Sequence, residues 1–227
     1  EAKALGLDYV ELTTDTDNNG YVNTDELNGA NSFTVKASFD RTKVSVGDKV
    51  IFSDANNNLS TVTLTQAMIT AGKATTTFPK PAEGAALTVA AIIQDAALNV
   101  TAPSATDTAT LDSTAPTQLV SFSSMTKDSG VTTASAINNN WITNDTSAGR
   151  LVSGTLSAPL TAGQTVAVYA DGTLVGTATV AAGGTTWEIT DLNGYGTNAS
   201  WTYTANVVDA LNNAGTVATQ LVNTDLV

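Results

Sequence analysis

The chain has 227 residues, which is long enough for two domains of about 100 residues, each with its own core. Its 21 Asp and Glu against 9 Lys and Arg give a formal net charge of −12, which disfavours binding to nucleic acid or to anionic membranes and favours hard cations. The sequence has no Cys and no His, so disulfides, thiolate zinc sites and histidine general bases are excluded.

No segment of the sequence is typical of a membrane span or of a secretory leader. Its apolar runs are all shorter than the roughly 20 residues that a spanning helix requires. The opening "EAKALGLDYV" lacks the basic and apolar regions of a signal peptide. We therefore expect no membrane insertion, and we expect the chain to be a segment of a longer polypeptide.

The first distinctive motif is the segment 15–26, "DTDNNGYVNTDE", here named the acidic loop. It has a carboxylate or carboxamide at its first, third, fifth and ninth positions, glycine at the sixth and glutamate at the twelfth. This is the spacing of a calcium-binding loop, which surrounds the ion with oxygen ligands. The predicted calcium ligands are Asp15, Asp17, Asn19, the Tyr21 carbonyl, Asn23 and Glu26, with Asp25 as a further candidate.

The residues around the acidic loop predict strands, so we do not expect a helix–loop–helix hand. "DYVELTT" precedes the loop and "NSFTVKASF" follows it. Gly20 permits the sharp backbone turn, and Val22 is the apolar residue that we expect to fix the loop to a core. A solvated turn remains the alternative, because Asp and Asn are common turn formers.

Short alternating runs rich in Thr and Val recur along the chain, and such runs predict strands. In the first half they are 33–39, 49–54, 60–65, 73–78, 86–95 and 107–112. In the second half they are 117–124, 150–157, 165–172, 173–180, 185–190, 201–210 and 216–222. Asp171-Gly172 predicts a two-residue hairpin turn. Only "TQAMITAG", residues 65–72, has helical character.

About seven short strands in each half, with turn signals between them, predict an all-β fold of two tandem immunoglobulin-like β-sandwiches. Pro116 cannot continue a strand ladder, and it fits an extended linker after "STA". We place the two domains at residues 1–113 and 114–227. A short motif near the end of each half indicates duplication of one module of about 113 residues.

That repeated motif, Asp-Ala-x-x-Asn, is a second candidate for metal binding. It occurs as Asp95 and Asn99 in "QDAALN" and as Asp209 and Asn213 in "VDALNN". The aspartates that follow the two copies are Asp112 and Asp225. The motif alone is weak, because Asp and Asn are ordinary turn residues.

The strand order of such a sandwich predicts that three acidic segments converge on the junction between the modules. The turn before the last strand lies at the end where a module begins, so Asp209 and Asn213 should face the linker at Asp112. The acidic loop follows the first strand and should face the same linker from the first module. Converging carboxylates repel one another, and a divalent cation would relieve that repulsion.

The linker "DSTAP", the "DAxxN" turns and the acidic loop resemble motifs of the bacterial immunoglobulin-like repeats of giant surface adhesins. These adhesins are type I-secreted, biofilm-associated and RTX-type proteins of Gram-negative bacteria. In the second half, "KDSG", "NNNWITND" and "GTTWEITDL" look like another repeat type of the same proteins. The resemblance covers nearly the whole chain. The turns read "DAALN" and "DALNN", whereas the commoner family form has glycine before the final Asn.

This resemblance implies that neighbouring modules of one chain bind calcium between them and that the ion stiffens the array. It implies a location outside the cell, on a Gram-negative bacterial surface. The implied junction ligands are Asp112, Asp209 and Asn213. Two residues that would face a following module are Asp128 and Asp145. Further candidates from the turns and the second trailing position are Asp95, Asn99 and Asp225.

The sequence is therefore interpreted as a monomeric, non-catalytic stalk segment that supports adhesion and biofilm formation. The alternative is a ligand-binding module on the same scaffold, with a carbohydrate or a host or self cell surface as its partner. In that case Trp141, Trp187 and Trp201 would form a stacking platform for sugars. Exposed tryptophans would favour this alternative, and tryptophans buried between sheets would favour the stalk. Without His or Cys, and with its acids concentrated in turns, the chain is not expected to be an enzyme.

Overall fold

The computed structural model describes residues 5–127, 141–196 and 200–224. The chain divides into two compact units, Glu1–Thr114 and Ala115–Val227. None of the helices in the described ranges has the length and apolar character needed to cross a membrane. Two of the predicted metal ligands, Asp128 and Asp225, lie outside the described residues.

Unit 1 is a β-sandwich of a three-stranded and a five-stranded sheet. Its elements are β1 (Leu7–Leu12), β2 (Tyr21–Val22), α1 (Thr24–Leu27), β3 (Ser32–Phe39), β4 (Lys49–Asp54), β5 (Leu59–Thr63), α2 (Gln66–Ala71), β6 (Lys73–Pro79), β7 (Ala86–Gln94) and β8 (Asp107–Leu111). The strand orders are β1-β3-β6 and β2-β8-β7-β4-β5. The pairs are antiparallel except for β2 with β8, which is parallel.

Alternation of side chains along the strands builds the core of unit 1. On β3, Phe33, Val35 and Ala37 are fully buried, while the residues between them are only half-buried. On β7, Val89 and Ile93 are fully buried in the same cluster. Because successive side chains of a strand point to opposite faces, one face of each sheet closes the core and the other meets water.

Unit 2 is a β-sandwich of a four-stranded and a five-stranded sheet. Its strands are β9 (Val120–Met125), β10 (Trp141–Thr143), β11 (Arg150–Leu156), β12 (Thr165–Ala170), β13 (Thr173–Thr177), β14 (Thr179–Val180), β15 (Thr186–Asp191), β16 (Trp201–Val208) and β17 (Ala218–Thr224). The strand orders are β14-β15-β11-β9 and β10-β17-β16-β12-β13. Only β10 with β17 is a parallel pair among the strands described here.

All three tryptophans of the chain belong to the core of unit 2. Trp141 is 5% exposed, and Trp187 and Trp201 are each 1% exposed. A Cβ added at Gly154 would lie 2.4 Å from the Trp187 ring and 2.0 Å from the Ser121 carbonyl oxygen. Only glycine fits at this point of β11, because backbone and indole both approach it closely.

The predicted all-β architecture of two sandwiches is confirmed, and each predicted strand has a counterpart. The structure adds three short strands, β2, β10 and β14, and a single helical turn, α1. Segment 173–180 differs from the prediction because it contains two strands. β13 belongs to the five-stranded sheet and β14 to the four-stranded sheet, so the chain crosses between the sheets at the buried Ala178.

The predicted hairpin at Asp171-Gly172 is confirmed by the antiparallel pairing of β12 with β13. Asp171 has φ of 46° and Gly172 has φ of 79°. Left-handed backbone at both central residues is what the twist of a two-residue hairpin requires. Helix α2, within 65–72, is also confirmed; it begins after the N-cap Thr65 and ends at Gly72.

Unit 2 also buries an ion pair that no motif in the sequence predicts. Arg150 and Asp191 are both fully buried, and Arg150 Nη1 lies 3.5 Å from Asp191 Oδ2. The same oxygen accepts hydrogen bonds from the hydroxyls of Tyr195 (2.8 Å) and Tyr203. Arg150 Nη2 donates to the Ser147 carbonyl at 2.7 Å. These hydrogen bonds offset much of the cost of burying the two charges, while the buried Arg150 Nε has no hydrogen-bond partner among the described residues.

Stability of unit 2 should fall in alkaline solution because of these two tyrosines. Burial, together with the hydrogen bond to Asp191, raises the pKa of Tyr203 to about 12 and raises the pKa of Tyr195 far above its usual range. Neutral tyrosines therefore stabilise the fold below pH about 10, the pKa of an unfolded tyrosine, and this stability is lost as the pH rises toward the folded pKa. We expect the contribution of Tyr203 to the free energy of unfolding of unit 2 to fall by about 2–3 kcal/mol between pH about 10 and pH about 12.

Tryptophan fluorescence measures this loss selectively, because all three tryptophans lie in unit 2. Urea unfolding at several pH values would give the free energy of unfolding. Tyr203→Phe should weaken the pH dependence, whereas the control Tyr169→Phe, on β12, should retain it. Equal pH dependence in wild type and Tyr203→Phe would contradict the assignment.

Candidate metal centre

The acidic loop connects β1 in one sheet of unit 1 to β2 in the other. The Thr110 N–H donates to the Gly20 carbonyl at 2.9 Å, and the Asp112 N–H donates to the Val22 carbonyl at 3.0 Å. Val22 is fully buried in the core, which confirms its predicted role in fixing the loop. Since successive carbonyls of a strand point to opposite sides, the Tyr21 carbonyl is directed away from β8, on the open side of β2.

Two left-handed residues turn the backbone around the Asp15 carboxylate. Asn18 has φ of 55° and Gly20 has φ of 85°, and these residue types tolerate that conformation well. The turn brings the N–H groups of Asn19 and Gly20 onto the two Asp15 oxygens, at 3.0 and 2.8 Å. The first ligand position is therefore held rigidly by backbone donors.

Asp15 is 6% exposed and shares its surroundings with two other carboxylates. Burial raises its pKa, and the nearby charges of Glu26 and Asp17 raise it further, although the backbone donors Gly20 and Asn19 act in the opposite direction. A raised pKa means that the negative charge at this position is unfavourable in the absence of a cation.

Glu26 closes the loop through the N-terminus of α1. Its Oε1 accepts from the Thr16 N–H at 2.8 Å and the Thr16 hydroxyl at 2.9 Å, and its Oε2 accepts from the Asn23 N–H at 3.1 Å. The Asn23 side chain accepts from the Glu26 N–H at 2.9 Å, which completes a capping box. Burial alone would raise the pKa of Glu26, but the hydrogen bonds from Asn23, Thr16 and Asp17 outweigh burial and lower it.

The loop brings together Asp15, Asp17 and Glu26, one oxygen from each lying within 4.8 Å of the others. A donor set made only of oxygens, with three carboxylates, fits a hard cation such as calcium. Asn19 is adjacent to this group, since its Nδ2 donates to Asp17 Oδ2 at 2.9 Å and its Oδ1 accepts from the Tyr21 N–H at 2.8 Å, and ligation by the Asn19 oxygen stays a prediction.

The other two predicted loop ligands differ in their placement. Asn23 is the N-cap of α1 and is half-buried. Asp25 is exposed in the first turn of α1 and is not among the three grouped carboxylates. There it carries the negative charge that the first turn of a helix favours. Metal ligation by Asp25 stays a prediction.

The two Asp-Ala-x-x-Asn turns have the same hydrogen bonds. Asp95 Oδ1 accepts from the backbone of the residues two and four positions later, at 2.9 and 2.8 Å, and Oδ2 accepts from Asn99 Nδ2 at 2.9 Å. Asp209 has the same three partners, at 2.8, 2.9 and 2.9 Å, with Asn213 in the place of Asn99. In both turns the fourth residue is left-handed, Leu98 with φ of 66° and Asn212 with φ of 64°.

A third copy of this turn, "DANNN" at 54–58, joins β4 to β5 and is missing from the sequence interpretation. Asp54 accepts from the backbone of Asn56 and Asn58 at 2.9 and 2.8 Å and from Asn58 Nδ2 at 2.7 Å, and Asn57 has φ of 61°. The motif therefore encodes a hairpin connection wherever it occurs. The letters Asp-Ala-x-x-Asn were sufficient to find this copy.

The acidic loop and the Asp209 turn each lie at a defined end of their own unit. In unit 1, the Thr24 hydroxyl donates to the Ser113 carbonyl at 3.1 Å, so the loop is at the end from which the chain leaves. In unit 2, a Cβ on Gly215, just after the Asp209 turn, would lie 2.7 Å from the Pro116 carbonyl oxygen, so this turn is at the end where the unit begins. Ligation by Asp112, Asp209 and Asn213 stays a prediction, as it does for Asp95 and Asn99.

Asp145, predicted to face a following module, has a cationic neighbour within unit 2. Its carboxylate lies 3.5 Å from Lys127 Nζ and accepts from the Ser147 N–H at 2.8 Å and the Ser147 hydroxyl at 2.5 Å. A metal ion at Asp145 would have to compete with this lysine.

No family model matches the sequence, and no curated protein matches it. Among solved structures, the chain is similar to the fibronectin(III)-like modules of CbhA from Clostridium thermocellum, with a TM-score of 0.51, 15% identity, and coverage of 86% of this chain and 85% of that chain. This likeness shows the fold and supports the two predicted sandwiches.

Two bacterial proteins also align with the chain. A Ca²⁺-stabilized adhesin of an Antarctic bacterium that binds ice aligns with a TM-score of 0.44 and 21% identity, over 99% of this chain and 50% of that chain. A 1.5-MDa bacterial ice-binding adhesin aligns with a TM-score of 0.40 and 16% identity, over 99% of this chain and 66% of that chain. The present chain thus spans half the length of the first of these structures.

The left-handed leucine of the first repeated turn should be a local source of instability. Leu98 is 72% exposed, so replacing it removes little buried surface. A leucine with left-handed backbone is strained, whereas glycine in that conformation is unstrained and asparagine is only slightly strained. We expect Leu98→Gly to raise the free energy of unfolding of unit 1 by about 0.5–1 kcal/mol.

Asn212→Gly, at the corresponding position of unit 2, is the matched control and should change stability by only a few tenths of a kcal/mol. Differential scanning calorimetry of the whole chain would measure both variants. A lower melting temperature for Leu98→Gly would show that the leucine contributes through contacts that outweigh its backbone strain.

Proposed function

We propose that this chain is a pair of non-catalytic immunoglobulin-like modules from the stalk of a large repetitive bacterial surface adhesin. The acidic loop binds calcium, and the ion stabilises unit 1 at the end that leads into the linker. The observation that carries the calcium proposal is the convergence of Asp15, Asp17 and Glu26 on one point within a loop of calcium-binding spacing. The motif resemblance carries the adhesin proposal.

Charge repulsion gives calcium a physical role in this loop. Three carboxylates lie together, and burial of Asp15, with a smaller contribution from the charges of Glu26 and Asp17, raises the Asp15 pKa, so its ionised form is disfavoured without a cation. A divalent cation replaces that repulsion by attraction. An ion that binds only the folded state stabilises it according to its concentration and affinity.

This dependence on calcium suits a protein that acts outside a Gram-negative cell after type I secretion. The chain has no Cys, so its sandwiches fold without disulfides. A chain that reaches full stability only in calcium-rich surroundings remains easier to unfold inside the cell, where calcium is scarce. The partners in this proposal are neighbouring modules of the same chain, and a host or self cell surface engaged elsewhere in the adhesin during adhesion and biofilm formation.

The burial of Trp141, Trp187 and Trp201 supports the stalk over a sugar-binding module. Each is at most 5% exposed, and Phe122 packs edge-on against Trp141 and Trp187 with centroid distances of 5.9 and 5.3 Å. A ring that stacks on a sugar must present a face to solvent, and these rings present theirs to the core.

Removing one loop carboxylate tests the calcium site. Asp17→Ala should lower the calcium stoichiometry in isothermal titration calorimetry by one ion. It should also eliminate the calcium-dependent rise in the melting temperature of unit 1, because only two of the three carboxylates would remain to bind the cation. Asp8→Ala, an exposed aspartate on β1, is the control and should keep the wild-type stoichiometry. Asp25→Ala decides whether Asp25 is a ligand.

An unchanged calcium stoichiometry in Asp17→Ala would contradict the assignment of the acidic loop as a calcium site. Chelation provides a further check, because adding EDTA to wild type should lower the melting temperature of unit 1 while Asp17→Ala shows no such decrease.

Glycan-array screening tests the stalk against the ligand-binding alternative. We expect no binding above background, and we expect Trp187→Ala to destabilise unit 2 by about 3–5 kcal/mol, as is typical for deletion of a buried tryptophan. A saturable sugar affinity that disappears in Trp187→Ala or Trp141→Ala while urea unfolding stays unchanged would favour the ligand-binding alternative.

A further inference from the structure

The chain contains three Asn-Gly pairs, at Asn19, Asn28 and Asn193. In such a pair the backbone nitrogen of the glycine can attack Cγ of the asparagine side chain, because glycine has no Cβ to hinder the approach. The attack forms a five-membered succinimide and expels the side-chain nitrogen as ammonia. Water then opens the ring at either carbonyl to leave aspartate or isoaspartate.

This reaction needs a glycine nitrogen and an asparagine side chain that are both free to move. The asparagine must rotate until Cγ lies over the nitrogen of the next residue, and the hydrogen bonds of both groups must break first. The hydrogen bonds at the three pairs therefore determine which of them can react in the folded chain.

The pair in the acidic loop is held at both reacting groups. The Gly20 N–H donates to Asp15 Oδ2 at 2.8 Å. The Asn19 side chain donates to Asp17 at 2.9 Å and accepts from the Tyr21 N–H at 2.8 Å. Nearby carboxylates also oppose the negative charge that develops on the attacking nitrogen.

The pair in unit 2 is held by the buried ion pair. Asn193 donates both its backbone N–H and its Nδ2 to Asp191 Oδ1, each at 2.9 Å. The Asn193 carbonyl accepts from Arg150 Nη1 at 3.3 Å, and the Tyr195 N–H donates to the Thr146 carbonyl at 2.8 Å. The Asn193 side chain and carbonyl are thereby held, and the Tyr195 N–H holds the peptide that follows Gly194.

The third pair lacks such restraints. Asn28 and Gly29 are both exposed, just after α1, and within the described residues neither the Asn28 side chain nor the Gly29 N–H has a hydrogen-bond partner. Asn28 has φ of 45° and Gly29 has φ of 74°, in the turn that connects α1 to β3.

We propose that Asn28 is the site at which the folded protein deamidates, and that Asp15 protects Asn19 from the same reaction. Deamidation to isoaspartate adds a methylene group to the backbone immediately after α1. Helix α1 carries Glu26, so the modification site is adjacent in the chain to the acidic loop. Succinimide formation does not require calcium. With EDTA in the buffer, the deamidation test and the test of the proposed calcium site are therefore independent of each other.

The experiment is incubation of the folded full-length chain at pH about 8 with EDTA, followed by peptide mapping with mass spectrometry over time. We expect Asn28 to deamidate about tenfold or more faster than Asn19 and Asn193, because each of those must first break hydrogen bonds to charged groups. In urea the three pairs should react at similar rates. Equal rates in the folded chain, or a faster reaction at Asn19 or Asn193, would overturn the proposal.

Asp15→Ala tests the protection of Asn19 directly. It removes the acceptor of the Gly20 N–H and should raise the Asn19 rate toward that of Asn28. Because Asn193 lies in unit 2, its rate does not report on unit 1, and a retained calorimetric unfolding transition of unit 1 verifies that the variant is folded. Asp17→Ala removes the acceptor of Asn19 Nδ2 and one acceptor of the Asn19 N–H, but it leaves the Gly20 N–H bonded to Asp15, so it should give a smaller rise. If Asn19 stays as slow in both variants as in wild type, Asp15 does not protect it.

Discussion

Hydrogen bonds from backbone N–H groups to aspartate carboxylates hold the connections of this protein together. Asp15 closes the acidic loop, and Asp54, Asp95 and Asp209 close three hairpin turns in one common geometry. In a chain without disulfides and with few helices, the connections need such fixed acceptors to set the register of the strands that they join. Charge-assisted bonds suit this role, because they are stronger than bonds between neutral groups.

The same carboxylates limit how far a motif can reveal metal binding. At Asp95 and Asp209, turn formation alone accounts for the Asp-Ala-x-x-Asn pattern, and the third copy at Asp54 joins two adjacent strands of one sheet. In the acidic loop Asp15, Asp17 and Glu26 likewise accept local hydrogen bonds, but their three carboxylates also lie together. Each repeated turn contains a single aspartate, so the grouping of carboxylates distinguishes the acidic loop from the repeated turns.

Local patterns predicted most of the fold. The strict alternation of β3 and β7 predicted strands, Asp171-Gly172 predicted a hairpin, and the spacing from Asp15 to Glu26 predicted a loop whose Val22 is buried. Each of these depends on residues that are close in sequence. The pairing of Arg150 with Asp191 joins residues that are 41 positions apart in the sequence, and no local pattern contains that information. The brief strands β2 and β10 likewise exist only because β8 and β17 supply their partners.

The parallel pairing of β2 with β8 determines how unit 1 would carry tension. β8 leads to the end of the unit, and β2 is linked through the acidic loop to β1, the first strand. When the two ends of the chain are pulled apart, parallel strands are drawn past each other lengthwise. Their hydrogen bonds are then loaded in shear, all together, instead of opening one after another like a zipper. The acidic loop lies on the same load path as this pair. An ion that stiffens the loop would therefore reduce how far the loop extends before force reaches β2.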